Sequence, residues 1–120
     1  MEIIKSEYSQ DFNGSHRKYF DLDGARLIDV HHFDNTKESW HKHEISTEVL
    51  FILNGEIEAR TQKITKHLKE NEIVSFPPEE WHRIKPLTLT TRILVFKYVS
   101  LAFNSGIENI KNDYVGLNKK

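Results

Sequence analysis

The stretch HKHEISTEVLFILNG, residues 41–55, decides how this chain is expected to fold and what it is expected to bind. Its second half, Glu48 to Leu53, is rich in β-branched and aromatic residues. The pair Asn54-Gly55 that follows is typical of a tight hairpin turn. In the first half, His41 and His43 are two positions apart. Side chains alternate across a strand, so the two imidazoles should point to the same face.

Short runs of the same kind lie on both sides of this stretch. Turns are indicated at Asn13-Gly14 and Asp23-Gly24, and Pro77-Pro78 should stop strand pairing and form a corner. The predicted strands are 25–33, 48–53, 56–60, 72–76, 81–85 and 88–100, with 56–60 as the return strand of the hairpin. Many short strands and no long helical period predict an all-β sandwich or barrel.

Two of these runs, VLFIL (49–53) and ILVFKYV (93–99), are apolar at both alternating positions. A strand with one wet face should alternate, so the second face of these strands must be covered. Either the N-terminal segment or a second subunit would cover it, and we expect a homodimer. The residues after 100 predict only a short helical or irregular tail outside the barrel.

Length and composition are those of one globular domain. Hydrophobic residues make up 38% of the 120 residues and charged residues 29%, and this length is short for two domains. We expect a single domain over 1–120, with N-terminal strands or an arm in 1–24, a barrel core in 25–100 and a tail in 101–120.

The charge and hydropathy patterns exclude several classes of partner. The net charge is −1 and no basic stripe stands out, so no nucleic-acid partner is expected. No apolar run approaches the roughly 20 residues of a membrane span, and the N-terminus does not resemble a signal peptide. We therefore expect no membrane partner and a cytoplasmic location.

The absence of cysteine restricts any metal site to nitrogen and oxygen ligands. His41 and His43 share a face, Glu48 opens the next strand, and His82 follows the Pro-Pro corner. Three imidazole nitrogens and one carboxylate oxygen suit a divalent Fe, Mn, Ni, Co, Zn or Cu ion and leave coordination positions open. We predict that these four residues hold one such ion.

The other histidines are assigned no ligand role. His16 and His67 lie in polar stretches that resemble loops. His31 and His32 are adjacent, so only one of them can face inward, where it would support the ligands from behind. A surface or core position is the alternative for each of them.

The stretch 41–55 resembles the first sequence motif of the cupin superfamily, whose small single-domain members are RmlC-like metal-binding barrels. Four residues separate His43 from Glu48 and six separate Glu48 from Gly55, which is the spacing of that motif.

The stretch NEIVSFPPEEWHRIKP, residues 71–86, resembles the second cupin motif. Asn71 stands in its glycine position, Pro77 in its proline position and His82 in its histidine position. All four ligands of the family are thus present in order, and the resemblance covers 35–86, about half of the chain.

The chain departs from the motifs only at positions that are not ligands. Asn35 replaces the opening glycine of the first motif, and Pro86 replaces the terminal asparagine of the second. Asn71 and Glu79 replace the two glycines of the second motif. Asparagine adopts left-handed conformations readily, but glutamate does so less readily, so Glu79 predicts a reshaped turn before His82.

The resemblance implies an antiparallel jelly-roll barrel with the metal inside its mouth. Leu50, Ile52 and Ile84 share the parity of the ligands on their strands, so they should line the interior below the metal or form plain core. Three side chains are candidates for acid–base work, although the sequence assigns that role to none: Tyr98, His31 and Lys97. Trp40 and Trp81 should face outward as packing or dimer residues.

Three functions stay open at this point. The first is a metal-dependent enzyme acting on a small oxygenated substrate, as a dioxygenase or an isomerase-like carbonyl enzyme. The second is a non-catalytic metallocupin that binds a small ligand, as a sensor or accessory protein, and the lack of an assigned catalytic base favours it. The third is a structural β-domain without metal, which converging buried polar groups disfavour.

Overall fold

The structure, a computed structural model, describes residues 1–12, 14–33, 38–99 and 113–116. The described residues form strands and connecting turns, and they contain no helix. The strands are β1 (Tyr8–Phe12), β2 (Ser15–Leu22), β3 (Ala25–His32), β4 (His41–His43), β5 (Ser46–Asn54), β6 (Ile57–Thr61), β7 (Thr65–Leu68), β8 (Ile73–Phe76), β9 (His82–Pro86), β10 (Thr91–Val99) and β11 (Tyr114–Gly116). The predicted all-β class is confirmed.

Two antiparallel sheets build the barrel. The larger sheet has the order β1-β2-β3-β10-β5-β8, and the smaller has the order β11-β4-β9-β6-β7. Most neighbours within a sheet are distant in sequence, as in a jelly roll, because the chain passes repeatedly from one sheet to the other. This topology brings β4, β5 and β9 to one end of the interior.

The apolar core lies between the sheets and follows the two-residue period of the strands. Along β5, Glu48, Leu50 and Ile52 face inward and are buried, whereas the residues between them are only partly buried. Leu50, Ile52 and Ile84 all belong to the core cluster, as their parity predicted. Its other members are Tyr19, Ile28, Val30, Ile57, Ala59, Leu68, Phe76, Ile93 and Val95.

The predicted hairpin at Asn54-Gly55 is wrong. Strand β5 pairs with β10 and β8 in the larger sheet, whereas β6 pairs with β7 and β9 in the smaller sheet. Gly55 does take a positive φ of 86°, and this conformation serves a corner between the sheets. A local Asn-Gly signal identifies left-handed backbone but does not determine which sheet the next strand joins.

Two histidines that were placed in loops lie on strands instead. His16 is on β2 and His67 is on β7, and each pairs with a carboxylate, Asp11 at 2.7 Å and Glu56 at 2.6 Å. Strand β7 exposes three of its four residues and buries only Leu68. Without apolar alternation a strand of this kind has no sequence signal.

The predicted tail is only partly described. Most of 101–120, and Asn35 of the first motif, fall outside the described residues. Within the tail, Tyr114–Gly116 forms β11 and extends the smaller sheet beyond β4.

The outer face of β10 is partly open to solvent, since Phe96 and Tyr98 are each 37% exposed. The homodimer that was predicted to cover this face stays a prediction, and so does the division of the single domain. No helix in the described part of the chain is long and apolar enough to cross a membrane.

Candidate metal centre

The structure brings the four predicted ligands together. His41 and His43 come from β4, Glu48 from β5 and His82 from β9, and all four are buried. Each offers one ligand atom, and these atoms lie within 4.8 Å of one another. Opposite ligands of an ion with bonds of about 2.1 Å are roughly 4.2 Å apart. A small closure would therefore let one ion contact all four.

Strand geometry explains this convergence. The two-residue period puts His41 and His43 on the inner face of β4 and leaves Lys42 between them facing outward. His41 lies directly opposite His82 in the β4–β9 register. Glu48 comes from the facing sheet, where it is the first inward carboxylate of β5.

Backbone carbonyls fix the tautomers of two of the imidazoles. Nδ1 of His41 lies 2.9 Å from the carbonyl oxygen of Ser39, and Nδ1 of His82 lies 2.8 Å from that of Glu80. A carbonyl oxygen only accepts, so both Nδ1 atoms carry the proton. In the neutral rings, each Nε2 then keeps a lone pair for a metal ion.

The short contact between Glu48 and His82 requires a proton or a metal ion between the two side chains. Nε2 of His82 lies 2.9 Å from Oε1 of Glu48. A neutral His82 would place its lone pair against a carboxylate, and two acceptors at this distance repel unless a proton or a metal ion lies between them. Burial alone would raise the pKa of Glu48, but His43 and His82 lower it well below its usual value. Glu48 is therefore ionised.

His43 has carboxylates at both ring nitrogens. Nε2 lies 3.2 Å from Oε2 of Glu48, and Nδ1 lies 3.5 Å from Oδ1 of Asp113. Neither contact is aligned as a hydrogen bond, so among the described residues both nitrogens are buried without a hydrogen-bond partner. Burial alone would lower the pKa of His43, but the two carboxylates raise it. An ion at Nε2 would satisfy the orphaned atom, so this donor set fits a divalent metal.

Asp113 is a member of the site that the sequence did not reveal. Its Oδ2 accepts hydrogen bonds from the backbone of Ser46 at 2.9 Å and from the Ser46 hydroxyl at 2.7 Å. Its Oδ1 accepts from Nζ of Lys97 at 3.3 Å. Burial would raise the pKa of Asp113, but His43, Lys97 and Ser46 lower it well below the usual range. Asp113 is thus a rigid anion positioned behind His43.

The remaining candidate residues divide between the interior and the surface. His32 faces inward and is buried, whereas His31 is exposed, so the prediction that only one can face inward is confirmed. Burial lowers the pKa of His32. Of the acid–base candidates, Lys97 faces the interior and Tyr98 faces outward.

The two tryptophans lie on the outer side of the smaller sheet. Trp40 and Trp81 are partly buried, and each contacts a cation through its ring face. Lys42 lies 5.4 Å from the Trp81 ring and Arg83 lies 5.1 Å from the Trp40 ring. Packing of this kind is one of the two roles predicted for them, and the other role, a dimer contact, stays a prediction.

The two residues that stand in glycine positions of the second motif both have left-handed backbone, and the reshaped turn before His82 stays a prediction. Asn71 and Glu79 both adopt left-handed backbone, with φ of 70° and 71°. The Glu79 side chain pairs with Lys42, and its backbone N–H donates to the carbonyl of His43 at 2.8 Å. These contacts hold Glu79 in a conformation that is ordinarily costly for a residue with Cβ.

A cavity of about 300 Å³ opens beside three of the four predicted ligands. Its wall includes Tyr8, Arg17, Tyr19, Arg26, Lys97 and Tyr114 in addition to His41, His43 and Glu48. The Tyr114 ring stacks on His41 with 5.1 Å between ring centres, and burial raises the pKa of Tyr114. At neutral pH the phenol is therefore a neutral donor at the cavity wall.

Comparison with known proteins gives a family match over the part of the chain that carries the site. Residues 30–95 match the family model described as "Cupin domain". No curated protein sequence shows significant similarity to the chain.

Solved structures share the fold at low sequence identity. KdgF from Halomonas sp. is 15% identical with a TM-score of 0.71, over 81% of this chain and 92% of that one. An RmlC-like cupin from Shewanella frigidimarina NCIMB 400 is 14% identical with a TM-score of 0.69, over 84% and 90%. Oxalate decarboxylase from Bacillus subtilis is 13% identical with a TM-score of 0.77 over 97% of this chain, which spans only 32% of that longer chain.

Proposed function

This chain belongs to the cupin family, and from that premise we propose that His41, His43, Glu48 and His82 hold one divalent transition-metal ion. The contact that carries the proposal is the 2.9 Å approach of the His82 Nε2 atom to the Glu48 carboxylate. With the His82 proton engaged on Nδ1, a cation between these two acceptors accounts for their closeness. Nε2 of His43 supports the same position, because it is buried, makes no aligned hydrogen bond and lies 3.2 Å from Oε2 of Glu48.

We propose that the protein is a metal-dependent enzyme acting on a small oxygenated molecule. The ion would act as a Lewis acid that polarises an oxygen of the ligand, and Fe, Mn, Ni, Co, Zn and Cu all suit the donor set. The cavity of about 300 Å³ is of the size that takes a small molecule. Tyr114 would donate a hydrogen bond to the ligand from the wall.

A non-catalytic metal-dependent binding protein is the alternative function. The charged side chains of the described cavity wall are held in ion pairs, including Arg17 with Glu38 and Lys97 with Asp113. Such pairing favours fixed recognition over proton transfer, which needs a group that is able to exchange its proton with a ligand. One of the similar structures is an enzyme, oxalate decarboxylase, and this similarity favours catalysis instead.

Turnover screens separate the two functions. Metal-loaded protein would be incubated with panels of keto acids, hydroxy acids, diols and sugar derivatives, with oxygen uptake and product formation followed in parallel. Conversion that is lost in Glu48→Gln would support the enzyme. Saturable binding without conversion across the panels would support the binding protein, and a mass-spectrometric search for a co-purified molecule would identify its ligand.

Replacing Asp113 by asparagine is expected to weaken metal binding by roughly 10- to 100-fold, as loss of an anion behind a metal-bound histidine usually does. The neutral amide of asparagine would attract neither the His43 ring nor the Lys97 ammonium group, both of which Asp113 contacts. Metal titration of the purified variant would measure the change. Asp29→Asn is the matched control, because Asp29 pairs with Arg92 on the outer face of the larger sheet, away from the cluster. Equal affinities for both variants would show that Asp113 does not position His43.

Metal occupancy is expected to fall as the pH falls through the histidine range. Imidazoles bind metal only when neutral, so protons compete with the ion on acidification. Burial lowers the pKa of His41, whereas burial opposed by two carboxylates leaves the pKa of His43 raised. His43 should therefore take up its proton before His41 does. Metal stoichiometry after dialysis at a series of pH values tests this, and full occupancy retained to about pH 4 would contradict it.

A further inference from the structure

Four charged residues form a row across the inner face of the larger sheet. In the strand register, Arg26 lies opposite both Asp21 and Lys97, and Lys97 lies opposite Glu48. The side chains of Arg26 and Lys97 are each only 8% exposed. Like charges directly opposite each other destabilise a sheet, and burying them costs further free energy. A carboxylate partner, Asp21 for Arg26 and Asp113 for Lys97, offsets part of this cost, and both cations line the cavity beside the metal ligands.

The two cations are held in place by carboxylates behind them. Asp21 accepts hydrogen bonds from Nε of Arg26 at 2.7 Å and from Nη2 at 3.5 Å. A guanidinium has five N–H donors, so this contact leaves donors for an acceptor in the cavity. Arginine presents these donors as a planar fork that matches a carboxylate.

Two tyrosines provide a flat surface next to Arg26. The rings of Tyr8 and Tyr19 are stacked, with 4.5 Å between centres and 16° between planes. The guanidinium carbon of Arg26 lies 4.7 Å from the centre of the Tyr19 ring. Both tyrosines line the same cavity as Arg26 and Glu48. They would contact the carbon body of a ligand whose polar group reaches the arginine.

With a divalent metal ion at the four ligands, the net charge around the cavity favours the binding of an anion. Three cationic side chains line it, Arg17, Arg26 and Lys97. Four carboxylates lie in or directly behind the wall: Asp21, Glu38, Glu48 and Asp113. A divalent ion at the four ligands adds two positive charges, so the whole set carries one net positive charge. An anionic group would neutralise it in a site that is largely withdrawn from water.

We propose that the ligand of this cavity is a small carboxylic acid whose carboxylate binds Arg26 while a hydroxyl or keto oxygen contacts the metal ion. Arg26 and Glu48 stand two strand spacings apart, about 10 Å between Cα atoms. Both side chains line the cavity, and a small acid would span the distance between them. The proposal rests on the metal-binding function above and narrows its substrate from any oxygenated molecule to carboxylates.

Paired probes test the proposal by equilibrium binding. Metal-loaded protein would be titrated with glycolate, pyruvate and D-glucuronate, and with the uncharged counterparts ethylene glycol, acetone and D-glucose. At least one acid should bind about tenfold more tightly than its counterpart, as a charge-assisted bidentate contact predicts. Equal binding within every pair, or no acid bound at millimolar concentration, would overturn the proposal.

Variants assign the preference to Arg26. Arg26→Gln should abolish the preference for the acid, whereas Arg92→Gln should keep it, because Arg92 pairs with Asp29 on the outer face. Arg26→Gln leaves Asp21 without its cation, so the double variant Arg26→Gln/Asp21→Asn removes both charges and decides the matter if the single variant does not fold. An acid preference that survives in the folded double variant would contradict the role of Arg26.

The same titrations separate this inference from the metal-binding proposal. Metal content would be measured in each sample by elemental analysis. A chain that binds metal but treats acids and neutral probes alike would disprove only the substrate class. A chain that takes up no metal, yet prefers acids through Arg26, would disprove the metal-binding function and the contact of the acid with the metal, and would leave only the contact between the carboxylate and Arg26.

Discussion

Replacing His43 by alanine is expected to lower metal affinity by at least about 100-fold while the barrel stays folded. His43 contributes a ligand atom to the cluster of four, and its ring is held between Glu48 and Asp113. The apolar core does not include His43, so its removal leaves sheet packing intact. Metal titration followed by circular dichroism and thermal unfolding of the metal-free variant would measure both parts of the prediction.

His67→Ala is the control for the His43 variant. The His67 side chain is half exposed on β7 and contacts only the carboxylate of Glu56 among the interactions described for it. Its removal should leave metal affinity unchanged, since the residue is not part of the cluster. Wild-type affinity in His43→Ala would show that the ligand assignment is wrong.

Replacing Gly55 by alanine is expected to destabilise the protein by about 3 kcal/mol or more. Its φ of 86° disfavours any residue with Cβ. A Cβ there would also lie 2.4 Å from Oγ1 of Thr88, 2.6 Å from Cγ2 of Thr91 and 2.7 Å from the carbonyl oxygen of Thr90. The last of these is backbone, so the corner between the sheets would have to move. Urea unfolding of the metal-free protein would give the change in free energy of unfolding.

Gly24→Ala separates steric overlap from backbone strain. Gly24 has a similar φ of 71°, but a Cβ at that position would meet nothing within 4 Å. Its substitution should cost only about 1 kcal/mol, from the left-handed backbone alone. A loss of stability at Gly55 no greater than that at Gly24 would contradict the close packing of the corner.

The strand period and the motif spacing made it predictable that these four side chains would lie close together. His41 and His43 had to share a face whatever the rest of the fold, and the motif spacing added Glu48 and His82. The same period placed Leu50, Ile52 and Ile84 in the interior, and the structure has them in the core. These inferences depend on local geometry, which the sequence carries directly.

Contacts between distant segments were not predictable in the same way. Asp113 reaches the site because β11 pairs with β4, and nothing in the residues around it indicates that pairing. The Asn54-Gly55 turn suggested a hairpin because the local signal is shared by corners between sheets. For the cavity wall, the sequence signal was Lys97. This residue is charged within the apolar run ILVFKYV, and it lies on the same face of the strand as the buried Val95.

The metal content of freshly purified protein is the measurement that bears most directly on the four converging side chains. Elemental analysis should find about one divalent transition-metal ion per chain, and X-ray absorption should show a nitrogen-rich shell at about 2.0 to 2.2 Å. Glu48→Gln should lose most of this metal. A wild-type chain that retains less than about a tenth of an equivalent, even after exposure to each of Fe, Mn, Ni, Co, Zn and Cu, would contradict the metal centre.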